Sequence, residues 1–216
     1  MNRNVHIKQD LEDLVKRFPK LRYSYDEKQM RASISGMLEI CDAKGNYWKS
    51  FNILITVGPG YPYEVPKLKE KSDNIPRQLD RHITKEGDCC VDIPHKLKLK
   101  ASRGIRLTDF VLYDVYPFFA NQLYFDEEHI YANGEWTHNF QGIREFYQEE
   151  LGIINDESAI SILVAILDKR IPERNDLCIC GKKKFKKCHL DAVRFLSCLG
   201  ETRLREDLSG FRNSIK

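Results

Sequence analysis

The sequence predicts an α+β domain followed by a small cysteine-rich tail. Residues 6–17 carry apolar side chains at helical spacing, and residues 31–41 and 48–57 are rich in the β-branched and aromatic residues that favour strands. Three of the seven cysteines fall within residues 178–188. With 216 residues, the chain has room for one domain of about 150 residues and a short appendage.

The composition is that of a globular protein, with 42% hydrophobic and 11% aromatic residues, and it excludes a disordered chain. The apolar runs are shorter than the ~18–20 residues of a membrane helix, and the N-terminus lacks the apolar core of a signal peptide. We therefore expect a cytoplasmic protein with no membrane partner. In that reducing compartment an odd number of cysteines favours metal binding or catalysis over a disulfide framework.

The N-terminal half predicts a helix followed by antiparallel strands. The helix over residues 6–17 ends where Phe18 and Pro19 break the pattern, and its buried face is formed by Ile7, Leu11, Leu14 and Val15. The strands over residues 31–41 and 48–57 are joined by a Gly-containing turn, and residues 65–69 predict a short edge strand. We expect the segment that follows to be irregular.

The C-terminal half predicts mostly helices. Thr108 should cap a helix that Pro117 kinks. Residues 126–142 are polar and predict a loop, after which residues 141–151 and 158–170 predict two helices. The end of the chain predicts one or two short helices.

The composition changes abruptly near Pro172, and we place a boundary there between a domain over residues 1–170 and a tail over residues 171–216. The tail holds eleven of the 35 Lys and Arg residues but six of the 32 Asp and Glu residues. Its basic character allows contact with phosphates or with an acidic protein surface. A docking role with protein is favoured over nucleic acid, and a solvated basic loop is the plainer alternative.

Two adjacent cysteines, Cys89 and Cys90, stand in the segment HITKEGDCCVDIP, residues 82–94. If residues 88–93 are extended, alternate side chains face opposite ways. Cys89 then falls on an apolar face, whereas Cys90 shares the polar face with Asp92. This alternation predicts that Cys89 packs as a small hydrophobe and that Cys90 is a single exposed nucleophile.

Other roles for the two cysteines are less favoured. A disulfide between neighbours requires a strained ring. A zinc site would have to use Asp88, His82 and His95, which have no recognised ligand spacing. A papain-like protease places its cysteine at a helix N-terminus, and the residues after Cys90 do not predict a helix start. Two purely structural cysteines remain the alternative.

The order of motifs around Cys90 resembles the core of ubiquitin-conjugating enzymes. A Tyr-Pro-x-x-x-Pro turn at residues 61–66 follows the strands, and His82 precedes a Gly-x-x-Cys-Val-Asp-Ile motif at residues 87–93. The resemblance covers roughly residues 5–155. It implies the ubiquitin-conjugating (UBC) fold, which consists of an N-terminal helix, an antiparallel β-meander, an active-site Cys segment and C-terminal helices.

The chain looks closer to the bacterial branch of that family, which is found in antiphage and ubiquitin-like operons. That likeness is carried by Ile-Pro-Arg at residues 75–77, Gly-Asp-Cys-Cys-Val at residues 87–91 and Gly-Glu-Trp-x-His at residues 134–138, followed by Gly-Ile-x-Glu-Phe-Tyr at residues 142–147. The resemblance implies that Cys90 forms the thioester of a conjugating enzyme.

The resemblance also implies the reaction and its partners. Cys90 would accept the C-terminal carbonyl of a ubiquitin-like protein or of a cGAS-like nucleotidyltransferase and pass it to a target lysine. The transfer needs no bound cofactor. A separate activating enzyme would supply the ATP-dependent step, because the chain has no Gly-rich phosphate loop, or the thioester would form by attack on an existing bond.

The chain departs from the family where His-Ile-Thr replaces the motif whose Asn supports the oxyanion. An oxyanion donor contributes on the order of 3–4 kcal/mol, so Thr84, His138 or Asn139 would have to replace it, or the activity would be weak. His138 is favoured because it follows Trp136 and could also deprotonate the incoming lysine. A loop histidine without a role is the alternative. Asp92 is predicted to orient the amine or to be a solvated carboxylate.

The tail resembles the SEC-C zinc motif found at the end of the SecA translocation ATPase. A Cys-x-Cys-Gly sequence is followed by a lysine-rich loop and Cys-His, and three thiolates with one imidazole suit tetrahedral Zn²⁺. The resemblance implies that the ligands are Cys178, Cys180, Cys188 and His189. Four protein ligands make the zinc structural. The Gly-Ser-Gly that usually follows the second cysteine is shortened to Gly181.

Three functions follow from these patterns. The first is an active ubiquitin-like conjugating enzyme, plausibly in bacterial antiphage defence. The second is a non-catalytic binding module of the same fold that docks through its zinc tail. The third, a zinc-knuckle adaptor for RNA or ribosomes, is ranked last because the basic residues lack neighbouring clusters of aromatic side chains for stacking on bases.

Overall fold

The computed structural model describes residues 3–42, 44–130 and 140–214. The chain has a mixed α+β structure and forms two compact units, unit 1 over Met1–Glu135 and unit 2 over Trp136–Lys216. Among the described helices, none combines the length and the apolar character needed to cross a membrane.

Unit 1 begins with the predicted helix. Helix α1 (Arg3–Arg17) buries Ile7, Leu11 and Leu14 at a spacing of three to four residues. It ends just before Phe18 and Pro19, because proline cannot continue the hydrogen-bond ladder. The prediction of an amphipathic N-terminal helix is therefore confirmed.

A four-stranded antiparallel sheet follows, with its strands in sequence order. The strands are β1 (Leu21–Asp26), β2 (Arg31–Cys41), β3 (Tyr47–Val57) and β4 (Lys67–Glu70). Strands β2 and β3 match the two predicted from their β-branched and aromatic residues, and their alternate residues point into the core. Strand β1 is not predicted from the sequence, because Leu21 is its one fully buried residue and the rest of the strand lacks a clear alternation.

Two features after the sheet differ from the sequence predictions. Helix α2 (Pro94–Arg103) begins four residues after Cys90, with Pro94 in the first turn, although no helix start is predicted there. Helix α3 (Leu107–Phe110) begins before Thr108, so Thr108 lies inside the first turn and does not cap it.

The helix predicted around Pro117 is interrupted as expected, by a π-helical turn. Helix α3 runs into a π-helical stretch (Val111–Val115), after which α4 (Tyr116–Glu128) begins with Pro117 in its first turn. Proline has no N–H to donate to the preceding turn, and the wider hydrogen-bond pattern accommodates this loss.

Unit 2 is helical and contains the cysteine-rich segment. It comprises α5 (Phe140–Glu149), α6 (Asp156–Leu167), a 3₁₀ turn (Phe185–Lys187), α7 (Leu190–Ser197) and α8 (Glu201–Ser214). Helix α6 starts two residues earlier than predicted because the Asn155 side chain accepts a hydrogen bond from the Ser158 N–H. The buried Tyr147 hydroxyl donates to Asp207 on α8.

The boundary predicted at residues 170/171 lies inside unit 2. Helices α5 and α6, which precede that boundary, both pack against α8, which follows it. The change in composition near Pro172 therefore marks the start of the cysteine-rich loop, whereas the division between compact units falls at residues 135/136.

Candidate functional site

The segment that carries Cys90 is docked on the edge of β4. Lys69 and Asp88 form an antiparallel bridge, and the Cys89 N–H donates to the Leu68 carbonyl at 2.9 Å. The segment is thus locally extended, which is the condition for the alternation of side chains predicted from the sequence. Cys90 is positioned by backbone pairing rather than by a helix terminus.

The opposite side of Cys90 is held by His82 and Thr84. The His82 carbonyl accepts the Cys90 N–H at 2.9 Å, and His82 is buried with φ 54°, a conformation unusual for residues other than glycine. The Thr84 hydroxyl accepts the Asp88 N–H at 3.1 Å and so closes the intervening turn. The oxyanion role of Thr84 remains a prediction.

Cys89 and Cys90 occupy different environments. Cys89 packs against the core of unit 1, whereas Cys90 is exposed. Burial raises the pKa of Cys89 to about 12, so this thiol stays protonated at neutral pH. The pKa of Cys90 is also raised, by partial burial and then by the charge of Asp88. Of the two, Cys90 is the accessible nucleophile, and a base or alkaline pH is needed to ionise it.

The effect of Asp88 on Cys90 can be measured by alkylation. We expect Asp88→Asn to lower the pKa of Cys90 and to increase its rate of reaction with iodoacetamide at neutral pH by a factor of about two to five, because the thiolate is the reactive form. Peptide mass spectrometry gives the rate for each cysteine. The exposed neighbour Glu86 supplies the control Glu86→Gln. An unchanged or slower rate in Asp88→Asn would contradict the assignment.

Cys90 lies in the wall of an open cavity of about 600 Å³. The cavity lies between the β4 edge and helix α2, and its apolar surface comes from Val65, Leu68, Val91, Leu97 and Phe110. Lys67 and Lys98, both exposed, line the same cavity. The arrangement offers an accessible thiol beside apolar surface and amines, which suits an extended acyl group better than a small polar substrate.

Asp92 lines the same cavity as Cys90, but its carboxylate is buried rather than solvated. Its carboxylate is 6% exposed, accepts the Ile93 N–H at 2.8 Å, and lies 3.2 Å from the Lys100 ammonium. Lys100 on α2 also binds the buried Asp114. This cover comes from α2, whose presence was not predicted. The carboxylate of Asp92 is therefore engaged within the chain.

Burial and charge oppose each other in this buried cluster. Burial raises the pKa of Asp114, although the hydrogen bond from Lys100 lowers it. Burial disfavours the Lys100 ammonium, but the hydrogen bonds and charges of Asp114 and Asp92 together outweigh this, and the pKa of Lys100 is raised. Asp114 lies on the π-helical stretch, so Lys100 ties the second half of α2 to this irregular turn and to Asp92.

A second buried ion pair supports the turn before Cys90, and sequence reasoning missed it. Glu70 is 1% exposed and lies 2.7 Å from the Arg77 guanidinium, which also donates to the Glu70 carbonyl at 3.0 Å. Gly87 passes over this pair with φ 86°, and an added Cβ would lie 2.6 Å from the Glu70 carbonyl oxygen. The Gly of the Gly-x-x-Cys motif is thus required by close backbone approach.

His138, the favoured replacement for the family Asn, lies outside the described residues, as do Asn139 and Trp136. Its predicted role as an oxyanion donor or base remains a prediction. Of the predicted site residues, Cys90 and Thr84 thus lie close together in the chain turn, and the Asp92 carboxylate is buried. The role of His138 has to be tested by experiment.

Unit 2 contains a cluster of four side chains that could hold a metal ion, namely Cys178, Cys180, Cys188 and His189. Their ligand atoms all lie within 4.8 Å of one another. The Cys180 and Cys188 sulfurs are 3.5 Å apart, and the His189 Nδ1 lies 3.4 Å from the Cys178 sulfur. A tetrahedral ion with bonds of about 2.0–2.3 Å would separate its ligands by roughly 3.3–3.8 Å, so the cluster fits such an ion.

The other ring nitrogen of His189 is held by the backbone. Nε2 lies 3.1 Å from the Gly152 carbonyl, between α5 and α6. A carbonyl can only accept, so Nε2 carries the proton and Nδ1 presents its lone pair to the thiols. This bond orients the ring as metal-ligating histidines require and links the cluster to the helices of unit 2.

Comparison of the chain with protein-family models, with curated proteins and with solved structures gave no match.

Proposed function

We propose that this chain is a cysteine acyl carrier of the ubiquitin-conjugating type. The observation that carries the proposal is the exposed Cys90 in the wall of an apolar cavity, beside a neighbour, Cys89, that is packed away and held protonated. A carrier needs one accessible thiol that exchanges acyl groups and does not form a disulfide with its neighbour.

The architecture of unit 1 supports the further proposal of a UBC-like fold. Helix α1, the four-stranded meander, the Cys90 segment and the helices after it follow one another in the order that the motif resemblance implies. The proposed donor is the C-terminus of a ubiquitin-like protein or of a cGAS-like nucleotidyltransferase, and the proposed setting is antiphage defence in the bacterial cytoplasm.

The chemistry proceeds in two acyl transfers. The Cys90 thiolate attacks the activated C-terminal carbonyl of the donor, a C–S bond forms, and the activating group leaves with the electron pair of its bond. A lysine amine then attacks the thioester, a C–N bond replaces the C–S bond, and Cys90 leaves as thiolate. Because the pKa of Cys90 is raised, the first transfer should accelerate as pH rises through that pKa.

For unit 2 we propose a structural zinc ion. Cys178, Cys180, Cys188 and His189 would fill all four positions, and zinc would supply the cross-link that stabilises a segment with few buried apolar residues. The lysines at positions 182–184, 186 and 187 are exposed around the buried Phe185. They would form a basic rim for docking an acidic protein partner.

A non-reducing gel tests the carrier function. The purified protein is incubated with a candidate donor and its activating protein, using wild type, Cys90→Ser and Cys89→Ser. We expect a thiol-sensitive adduct in wild type and Cys89→Ser and none in Cys90→Ser. Loss of the adduct in Cys89→Ser alone would show that the two cysteines are assigned the wrong way round, and no adduct with any donor would reject the carrier function.

A non-catalytic binding module is the second candidate. The raised pKa of Cys90 and the engagement of Asp92 by Lys100 favour it, since both reduce the groups available for chemistry. A module of this kind would bind the donor equally well as wild type and as Cys90→Ser, measured by calorimetry, and would give no thioester in the gel.

A further inference from the structure

Five lysines lie on the two elements that flank Cys90, Lys67 and Lys69 on β4 and Lys96, Lys98 and Lys100 on α2. A thioester on Cys90 would therefore form next to amines of its own chain. Which of these amines can react depends on which of them are already held by carboxylates.

Three of the five lysines are engaged, and one of these, Lys96, has interactions of its own within the chain. Lys69 lies 3.6 Å from the Asp88 carboxylate, and Lys100 lies between Asp92 and Asp114. An ammonium held in an ion pair must lose that interaction before its neutral form can attack a carbonyl. Lys69 and Lys100 are therefore poor acceptors.

Lys67 and Lys98 are available. Both are exposed, both line the cavity that contains Cys90, and neither has a carboxylate partner among the residues that the structure describes. Lys67 and Lys98 each lie two residues from Lys69 or Lys100 along the chain. They therefore differ from those two lysines mainly in having no carboxylate partner there.

The strand register singles out Lys67. The antiparallel bridge between Lys69 and Asp88 and the hydrogen bond from the Cys89 N–H to the Leu68 carbonyl set a register in which Lys67 is the next residue along β4 toward Cys90. Alternate residues of a strand point to the same face, so Lys67 faces the same way as Lys69, which pairs with Asp88. Lys67 and Cys90 also line the same cavity. The long side chain of Lys67 can thus reach an acyl carbon attached to the Cys90 sulfur.

We propose that Lys67 is an acyl acceptor within this chain, so that a Cys90 thioester is discharged onto it when no target amine is present. This inference rests on the proposed carrier function. The neutral Lys67 Nζ attacks the thioester carbonyl, the C–N bond forms as the C–S bond breaks, and the electron pair leaves on the Cys90 sulfur. The proton from nitrogen passes to solvent. The product is an amide on Lys67 and a free Cys90 thiol.

A peptide thioester tests the transfer without the natural donor. The full-length chain is incubated at mildly alkaline pH with a short peptide that ends in Gly-Gly and carries a mercaptoethanesulfonate thioester, which exchanges onto accessible thiols. Hydroxylamine then removes all thioesters, and peptide mass spectrometry maps the amides that remain. We expect at least about tenfold more amide on Lys67 than on Lys69, because proximity favours the intramolecular step.

Three variants make the result specific. Cys90→Ser should reduce the Lys67 amide to the level of other surface lysines, and Lys67→Arg should abolish it without reducing the Cys90 thioester. Lys69→Arg, on the same strand and face, should leave the Lys67 amide unchanged. A Cys90 thioester with no Cys90-dependent amide on Lys67, or with the amide on Lys98 instead, would overturn the inference and leave the carrier function standing. Absence of any thioester on Cys90 would count against both.

Discussion

Cys188→Ala is expected to remove the metal ion and to unfold the cysteine-rich part of unit 2. The four ligand atoms lie within 4.8 Å of one another, and a structural zinc contributes on the order of 10 kcal/mol to small domains of this kind. We expect one zinc per chain in the wild type and close to none in the variant, measured by atomic emission. Hydrogen exchange should show loss of protection in α7.

Cys198→Ala is the matched control for this experiment. Cys198 follows α7 in the same unit, is exposed, and lies outside the cluster, so its replacement should leave the zinc content and the protection of α7 unchanged. Exchange in β2 and β3 of unit 1 should be unaffected by either variant. Retention of zinc and of α7 protection in Cys188→Ala would contradict the assignment of Cys188 as a ligand, and absence of zinc from the wild type would reject the metal site.

Gly87→Ala is expected to destabilise unit 1 by about 2–4 kcal/mol and to displace Cys90. The new methyl group would lie 2.6 Å from the Glu70 carbonyl oxygen, and φ of Gly87 is 86°. The Cys90 segment would have to leave the edge of β4 to relieve this contact. Urea unfolding measures the loss of stability, and alkylation of the normally packed Cys89 reports the displacement.

Gly45→Ala separates backbone strain from the clash. Gly45 has φ 85°, almost the same as Gly87, but an added Cβ would meet nothing within 4 Å. Its replacement should cost about 1 kcal/mol, the usual effect of placing alanine in this conformation, and Cys89 should stay protected. Equal losses of stability in the two variants would mean that the approach of Gly87 to Glu70 is unimportant.

The elements that could be predicted from the sequence are those whose burial follows a period. Helix α1 and strands β2 and β3 bury regularly spaced side chains, so the pattern was sufficient. Helix α2 was missed because its sequence PHKLKLKASR alternates lysine and leucine as a strand would, and it buries only His95 and Ala101. Packing against neighbouring elements, which a single segment does not reveal, decides its structure.

The candidate site could be predicted where it depends on alternation along one segment, and not where it depends on contacts between segments. Alternation along the extended chain separated the packed Cys89 from the exposed Cys90. It could not show that the Asp92 carboxylate is covered by Lys100 from the helix that was not predicted. The ion pair between Glu70 and Arg77 carries no local signal, since only the folded turn brings the two residues under Gly87.

The pairing of the Cys90 segment with β4 also bears on solubility. In a four-stranded open sheet, β4 would present unpaired backbone groups as a template for association with other chains. The bridge between Lys69 and Asp88 and the hydrogen bond from Cys89 to Leu68 occupy that edge. Any substitution that loosens the segment should thus cause the protein to aggregate as well as displace Cys90, and the two defects should appear together.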